Sequence, residues 1–248
     1  MNCLDLFSGI GGFALAAQRT WKENLNILGF CEIEPYAQKV LNKNFPGVPV
    51  YKDIKELNGN KFKGIDLITG GFPCQDISIA GYGVGIEGER AGLWSEMFRV
   101  ISEVRPKFAL IENVSAITFR GGTRVITDLA KIGYNTEWQT ISAAYVGALH
   151  RRNRMWFVSY PSDSRSKYSK HGKSQADLKQ TEMVRQCEGS VFGNKGEFRE
   201  EICTTEFVRK SNGIPHRMDR IKGLGNAIVP QVAEIIMEKI KHRLENVK

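Results

Sequence analysis

The chain has 248 residues, 42% hydrophobic and 25% charged, a balance that excludes a disordered or fibrous polymer and suits one α/β core with a small appended lobe. Its formal net charge of +8 fits either a polyanionic partner or a merely solvated basic surface. Five cysteines with no C-x-x-C spacing argue against zinc or a redox couple and for reduced thiols in a cytosol.

Neither a signal peptide nor an apolar run long enough for a membrane span is read. From Met1 to about Tyr160, short apolar runs alternate with helix-length amphipathic segments, the pattern of βαβ units in a mostly parallel sheet. Asn2 to Phe7 reads as the first strand, followed by a glycine turn and a helix from Gly12 to Arg19. Leu25 to Cys31 reads as the second strand, and Pro35 to Asn44 as a helix opened by a first-turn proline. Further strands are expected near Val48 to Tyr51, at Ile65 to Thr69 and at Phe108 to Ile111, with helices over Glu96 to Val104 and Gly122 to Ile132. Thr136 to Ser142 and Arg154 to Ser159 read as an antiparallel strand pair.

Pro161 to about Asn212 is Ser-, Lys-, Gln- and Glu-rich and keeps no helical or strand period. At about 50 residues it is too small for a large core of its own and is expected to lean on the main domain. The division expected is therefore a main domain of residues 1–160 and 213–248, with a small region over 161–212. Apolar order returns at Ile221 to Ile240, where Pro230 can open a helix packing back on the first domain.

Five clusters carry candidate chemistry. Asp5 to Phe13 is a strand end running into a glycine turn and a helix start, either a tight structural turn or a place where backbone amides meet a cofactor. Glu32, ending the second strand, can accept from both hydroxyls of a ribose, and Asp53 from an adenine amino group; alone, either acid equally suits a helix cap or the surface. Gly70 to Ser78 places Cys74 on a loop just past a strand. A lone cysteine is usually an inert small apolar group, but the flanking Gly and Pro residues favour a nucleophile.

Glu112, at the end of another strand, belongs on the same sheet edge as Cys74. A thiolate can add to carbon 6 of a cytosine while a carboxyl group donates to ring nitrogen 3, and only then does carbon 5 gain enamine character. His150 to Arg154 is a dense cationic turn, able to hold a base oxygen, Glu112 or a phosphate, or simply solvated. Gly225 to Gln231 taken alone is a cap and turn before the last helix.

Taken in order, Asp5 to Phe13, Gly71-Phe72-Pro73-Cys74-Gln75, Glu112-Asn113-Val114, His150 to Arg154 and Gly225 to Gln231 resemble the successive motifs of the cytosine-5 DNA methyltransferases of bacteria and their phages. The resemblance covers about Met1 to Tyr160 and Gly213 to Ala233. It implies a Rossmann-like methyltransferase fold, S-adenosylmethionine as donor with S-adenosylhomocysteine as product, no metal, and a target-recognition region where the Ser/Lys-rich segment lies. It assigns Cys74 as nucleophile, Glu112 as proton donor, and Arg152 and Arg154 to the cytosine and its surroundings.

The cofactor residues it implies are Phe7, Gly9, Gly11, Glu32, Asp53, Ile54, Gly71, Pro73, Leu93, Asn226 and Ala227. Two departures stand out: His150 occupies a position that is usually Gln, and the recognition region is short and polar. The expected partners are double-stranded DNA and a companion restriction endonuclease, with the protein a cytoplasmic monomer. A tRNA methyltransferase and a catalytically silent DNA-binding module are the rival readings; the Cys-Phe-Thr tripeptide of the tRNA branch is absent.

Overall fold

A computed structural model describes residues 1–73, 92–117, 121–162 and 217–245. Its sheet has seven strands in the order β3-β2-β1-β4-β5-β7-β6: β1 Asn2–Leu6, β2 Asn26–Cys31, β3 Val50–Tyr51, β4 Leu67–Gly70, β5 Phe108–Val114, β6 Tyr134–Ile141 and β7 Arg154–Pro161. Strands β1 to β5 are parallel, and β7 runs antiparallel to both β5 and β6, as expected for the last strand pair. The helices are α1 Gly12–Trp21, α2 Pro35–Asn44, α3 Gly92–Val104, α4 Gly122–Lys131, α5 Arg217–Asn226 and α6 Pro230–Glu245. No described helix is long and apolar enough to cross a membrane.

Element ends move in several places, as where α3 starts at Gly92 rather than Glu96 and β6 at Tyr134 rather than Thr136, and three differences bear on the site. The fourth strand starts at Leu67 rather than Ile65; just before it the Asp66 side chain accepts from the Asn2 amide at 2.8 Å and pairs with Lys107 at 2.7 Å. Strand β5 does not stop at Ile111 but continues through Glu112 and Asn113 to Val114, paired to β7 along its whole extension. Residues 217–226 form a helix that apolar periodicity does not announce, so Gly225 and Asn226 close α5 instead of forming a bare turn. Most of the polar segment after Tyr160, residues 163–216, lies outside the described residues, as does the loop 74–91.

Alternation along the strands divides the core between two faces. Leu4, Leu6, Ile68, Ala109 and Ile111 pack under α3 and α4, where Met97, Val100, Ile101, Val125 and Leu129 are buried. Cys3, Leu67, Phe108, Leu110 and Trp156 pack under α1 and α6, against Phe13, Ala17, Trp21, Val232, Ile236 and Met237. Asp5, Thr69 and Glu112 follow Cys3, Leu67 and Leu110 in the same parity. They therefore project on the α1/α6 side, at the carboxyl end of the sheet, where an open parallel sheet places its ligands.

Helix α6 is also tied to the far edge of the sheet: Arg243 donates to both Glu137 carboxylate oxygens, at 2.9 and 2.8 Å, and Tyr160 donates to the same group at 2.8 Å. Met237 is fully buried in that interface. Met237→Ala is expected to lower unfolding stability in denaturant by about 2–5 kcal/mol; a loss below about 1 kcal/mol would show that α6 does not complete the core.

Candidate active site

The glycine turn after β1 is built by backbone geometry that ordinary residues avoid. Phe7, Gly9 and Gly11 all have positive φ, at 52°, 53° and 88°. The Ser8 hydroxyl donates to the Asp5 carbonyl at 2.8 Å and its amide to the Cys31 carbonyl at 3.1 Å, which fastens the turn to β2. The Gly9 amide donates to Glu32 at 2.7 Å. A Cβ at Gly9 would meet nothing within 4 Å, so the turn has open space beside it. Gly11 has a different constraint: a Cβ there would lie 2.7 Å from the Phe45 ring, so packing of α1 against α2 requires that glycine.

Glu32 is buried, and each of its carboxylate oxygens accepts one amide, from Gly9 at 2.7 Å and from Glu34 at 2.8 Å. Each oxygen keeps lone-pair capacity for a further donor. Ile33, beside it, is 66% exposed, a large apolar side chain at the rim that sequence reasoning passed over. Asp53 accepts from the Lys55 amide at 2.9 Å, and Ile54 is buried. Their loop is held by Arg99 of α3, which donates to the Ile54 carbonyl at 2.8 Å and to the Leu57 carbonyl at 3.0 Å while pairing with Glu96 and Glu103. Leu93, near the start of α3, packs against the core, and Pro73 is exposed.

Strands β4 and β5 bring the second cluster together. Gly70 stands opposite Ile111, which leaves Gly71 beside Glu112, and a Cβ on Gly71 would lie 3.0 Å from Glu112 Oε2. The Asn113 side-chain Nδ2 donates to the Phe72 carbonyl at 3.0 Å, and Phe72 packs its ring against Trp94. The chain that leads to Cys74 is thus fixed at Glu112 up to Pro73; Cys74 itself lies outside the described residues.

Glu112 is buried, and loss of water pushes its carboxyl up to about 7 against the opposing pull of the guanidinium groups of Arg154 and Arg152. Arg154 pairs with it at 3.0 Å. Burial and the ion pair act in opposite directions, and burial dominates, which favours the neutral carboxyl.

Arg152 and Arg154 leave the start of β7 toward different partners. Arg152 Nη2 donates to the Gly225 carbonyl at 2.7 Å and to the Ala227 carbonyl at 2.5 Å, which joins β7 to the turn between α5 and α6. That turn lies against the glycine turn: a Cβ on Gly12 would be 2.7 Å from Ile228 Cγ1, and one on Gly223 would be 3.2 Å from Ile10. Asn226 is exposed at its tip, and Lys222 pairs with Glu34 at 2.7 Å. His150 is exposed, while the Arg151 carbonyl closes the β6–β7 connection by accepting from the Ser142 hydroxyl and the Ala143 amide, both at 2.7 Å.

One buried acid was not singled out in the sequence. Asp5 is fully buried and accepts from the Thr69 hydroxyl at 2.6 Å, while its second oxygen has no hydrogen-bond partner among the described residues. Desolvation pushes it up to about 7, opposed mainly by the Thr69 hydrogen bond. Its position in the apolar parity of β1 was the available signal.

The sheet and its glycine turn define a Rossmann-like S-adenosylmethionine-dependent methyltransferase fold. Similarity to solved structures agrees: a prophage-encoded E. coli protein described as a DNA modification methyltransferase aligns at 29% identity and TM-score 0.56, over 66% of this chain and 48% of that one. A methyltransferase of Entamoeba histolytica shares the fold at TM-score 0.66 and 16% identity, over 100% of this chain and 99% of its own.

The chain belongs to the C-5 cytosine-specific DNA methylases, whose family model matches residues 1–218. Among curated relatives, the Type II methyltransferase M2.BsuMI of Bacillus subtilis (strain 168) is 37% identical over 163 residues, covering 62% of this chain and 41% of the relative. The Type II methyltransferase M.CviJI of Paramecium bursaria Chlorella virus IL3A is 34% identical over 156 residues, with the same two coverages of 62% and 41%. The chain therefore matches less than half the length of these two relatives.

The buried Asp5 has a measurable consequence. An unfolded chain releases that proton near 3.8 and the folded chain holds it to about 7, so this group makes stability fall as pH rises between those values. Asp5→Asn, which cannot ionise, is expected to remove a slope of up to about 1.4 kcal/mol per pH unit from denaturation measured across that window. An unchanged slope would show that Asp5 ionises freely in the fold.

Proposed function

We propose that this chain methylates carbon 5 of cytosine in double-stranded DNA, with S-adenosylmethionine as donor and Cys74 as covalent nucleophile. The observation that carries the reading is the contact of Gly71 with Glu112, reinforced by the Asn113 to Phe72 hydrogen bond: the loop that delivers the thiol starts against a buried, proton-holding acid.

The residues around the glycine turn fit the donor. Gly9 faces open space, Glu32 keeps lone-pair capacity at the strand end, and Ile33 offers an exposed apolar surface at the rim. Phe7, Gly9, Gly11, Glu32, Asp53 and Ile54 would hold it from one side. Gly71, Pro73, Leu93, Asn226 and Ala227 would complete the site. When bound, S-adenosylmethionine supplies an electrophilic methyl group on a sulfonium.

A cytosine must leave the duplex to reach this edge, at a cost of a few kcal/mol that phosphate contacts and hydrogen bonds to the base offset. The Cys74 thiolate forms a bond to carbon 6 while Glu112 donates its proton to ring nitrogen 3. Arg154 holds Glu112 in place and can donate to the base oxygen. Electron density then moves to carbon 5, which would accept the methyl group and leave S-adenosylhomocysteine; loss of the carbon-5 proton to a base expels the thiolate from carbon 6, and return of the nitrogen-3 proton to Glu112 restores the ring.

Residues 161–212 are assigned to target recognition, within an architecture whose catalytic part is 1–160 and 213–248. From the Type II names of its relatives we infer a cytoplasmic enzyme that works beside a restriction endonuclease, acting as a monomer.

DNA from cells expressing the chain should show methylated cytosines in one sequence context on bisulfite sequencing, and Cys74→Ser should abolish them. Methylation retained in that variant overturns the mechanism. Glu112→Gln is expected to lower the single-turnover rate by about 10²–10⁴; a loss below threefold would remove the acid from the chemistry.

Arg154 lowers the proton affinity of Glu112. The alkaline limb of kcat/KM, set by deprotonation of Glu112, should therefore move to higher pH in Arg154→Gln. A limb that stays in place would show that Arg154 does not act through the acid.

A further inference from the structure

We propose that Arg152 is a positioning residue for the cofactor site, clasping the α5–α6 turn against the glycine turn, rather than a ligand of the cytosine. This rests on the reading that the turn containing Asn226 and Ala227 borders the S-adenosylmethionine site.

Helix α5 ends at Asn226, and the last carbonyls of a helix lack intrahelical donors and carry the negative end of its dipole. Arg152 supplies what those groups need: one nitrogen donates to both Gly225 and Ala227 carbonyls, at 2.7 and 2.5 Å, with a full positive charge behind it. The turn so held continues directly into Ile228, whose side chain covers Gly12, and follows Gly223, whose Cα side faces Ile10. A wall over the glycine turn is thereby fastened across 73 and 75 residues of sequence to the start of β7.

Two further features mark the position as held for this purpose. Arg152 has φ of +34°, a backbone conformation that residues other than glycine rarely adopt. Its Nε is buried without a partner among the described residues, so the side chain tolerates a lost hydrogen bond to keep Nη2 on the two carbonyls. Its charge also favours the ionised form of the Glu112 carboxyl, and is itself opposed by the charge of Arg154. One residue therefore links the wall of the donor site to the acid of the base site.

Isothermal titration of the full DNA-free chain with S-adenosylhomocysteine separates the alternatives. Arg152→Ala should weaken binding on the order of tenfold, the loss expected when charge-assisted hydrogen bonds are removed. Arg152→Lys should recover part of it, and KM for S-adenosylmethionine should rise with little change in single-turnover rate at saturation. Arg154→Gln should bind the product as the wild type does.

If Arg152→Ala does not fold, the Lys variant alone carries the test: affinity equal to wild type with a reduced rate overturns the proposal. Unchanged product affinity in Arg152→Ala with a fall in rate or DNA affinity also overturns it, because the residue then serves the cytosine. A wild type that fails to bind S-adenosylhomocysteine overturns the cofactor reading and this proposal together, an outcome distinct from the variant-only results.

Discussion

Glu112 has an unusual set of neighbours because β5 outruns β4. The parallel register puts Gly70 opposite Ile111, so the next residue on β4's side is Gly71, which has no side chain, and on the other side Trp156. The carboxyl group at that point is buried, and a Cβ built on Gly71 would lie 3.0 Å from its Oε2. Any larger residue at 71 would have to displace the acid or the loop. The proximity of a proton donor to the thiol-bearing loop is thus set by strand register and by one missing side chain.

The same end of the sheet stores electrostatic cost. Asp5 and Glu112, on β1 and β5, are both buried and both raised to about 7, the first opposed chiefly by the Thr69 hydroxyl and the second by the Arg154 guanidinium. Buried acids lower stability unless they are paired, and fold requirements alone would replace them with apolar residues of the same parity. Their retention beside a strained turn with three positive-φ residues matches the expectation that cost accumulates where ligands are handled.

Much of this was legible in the sequence because it depends on local chemistry. Alternation of short apolar runs with amphipathic segments gave the parallel sheet, Pro35 and Pro230 marked helix starts, and the glycines after Phe7 marked the turn. Antiparallel β6 and β7 followed from two runs flanking one basic turn. The strand over Phe108 to Ile111 was expected to end at Glu112 and Asn113, and β7 supplies a ladder that carries it on to Val114. Helix α5 was hidden by Gly223 and Gly225, which weaken helix propensity and break an apolar stripe. The partners of Arg152 could not be read at all, since the carbonyls it meets are distant in sequence and carry no residue-type signal. The reading of residues 161–212 falls almost wholly outside the described residues.

The central claim is that the thiol after Pro73 and the acid before Asn113 act on one base. Duplex DNA carrying 5-fluorocytosine at the methylated position tests it most directly, because fluorine cannot leave carbon 5 as a proton does. With S-adenosylmethionine present, the wild type should accumulate a stable protein–DNA adduct whose cross-linked peptide contains Cys74, and Glu112→Gln should form it far more slowly. A preparation that methylates normal DNA yet yields no adduct, or an adduct on another cysteine, would contradict the claim.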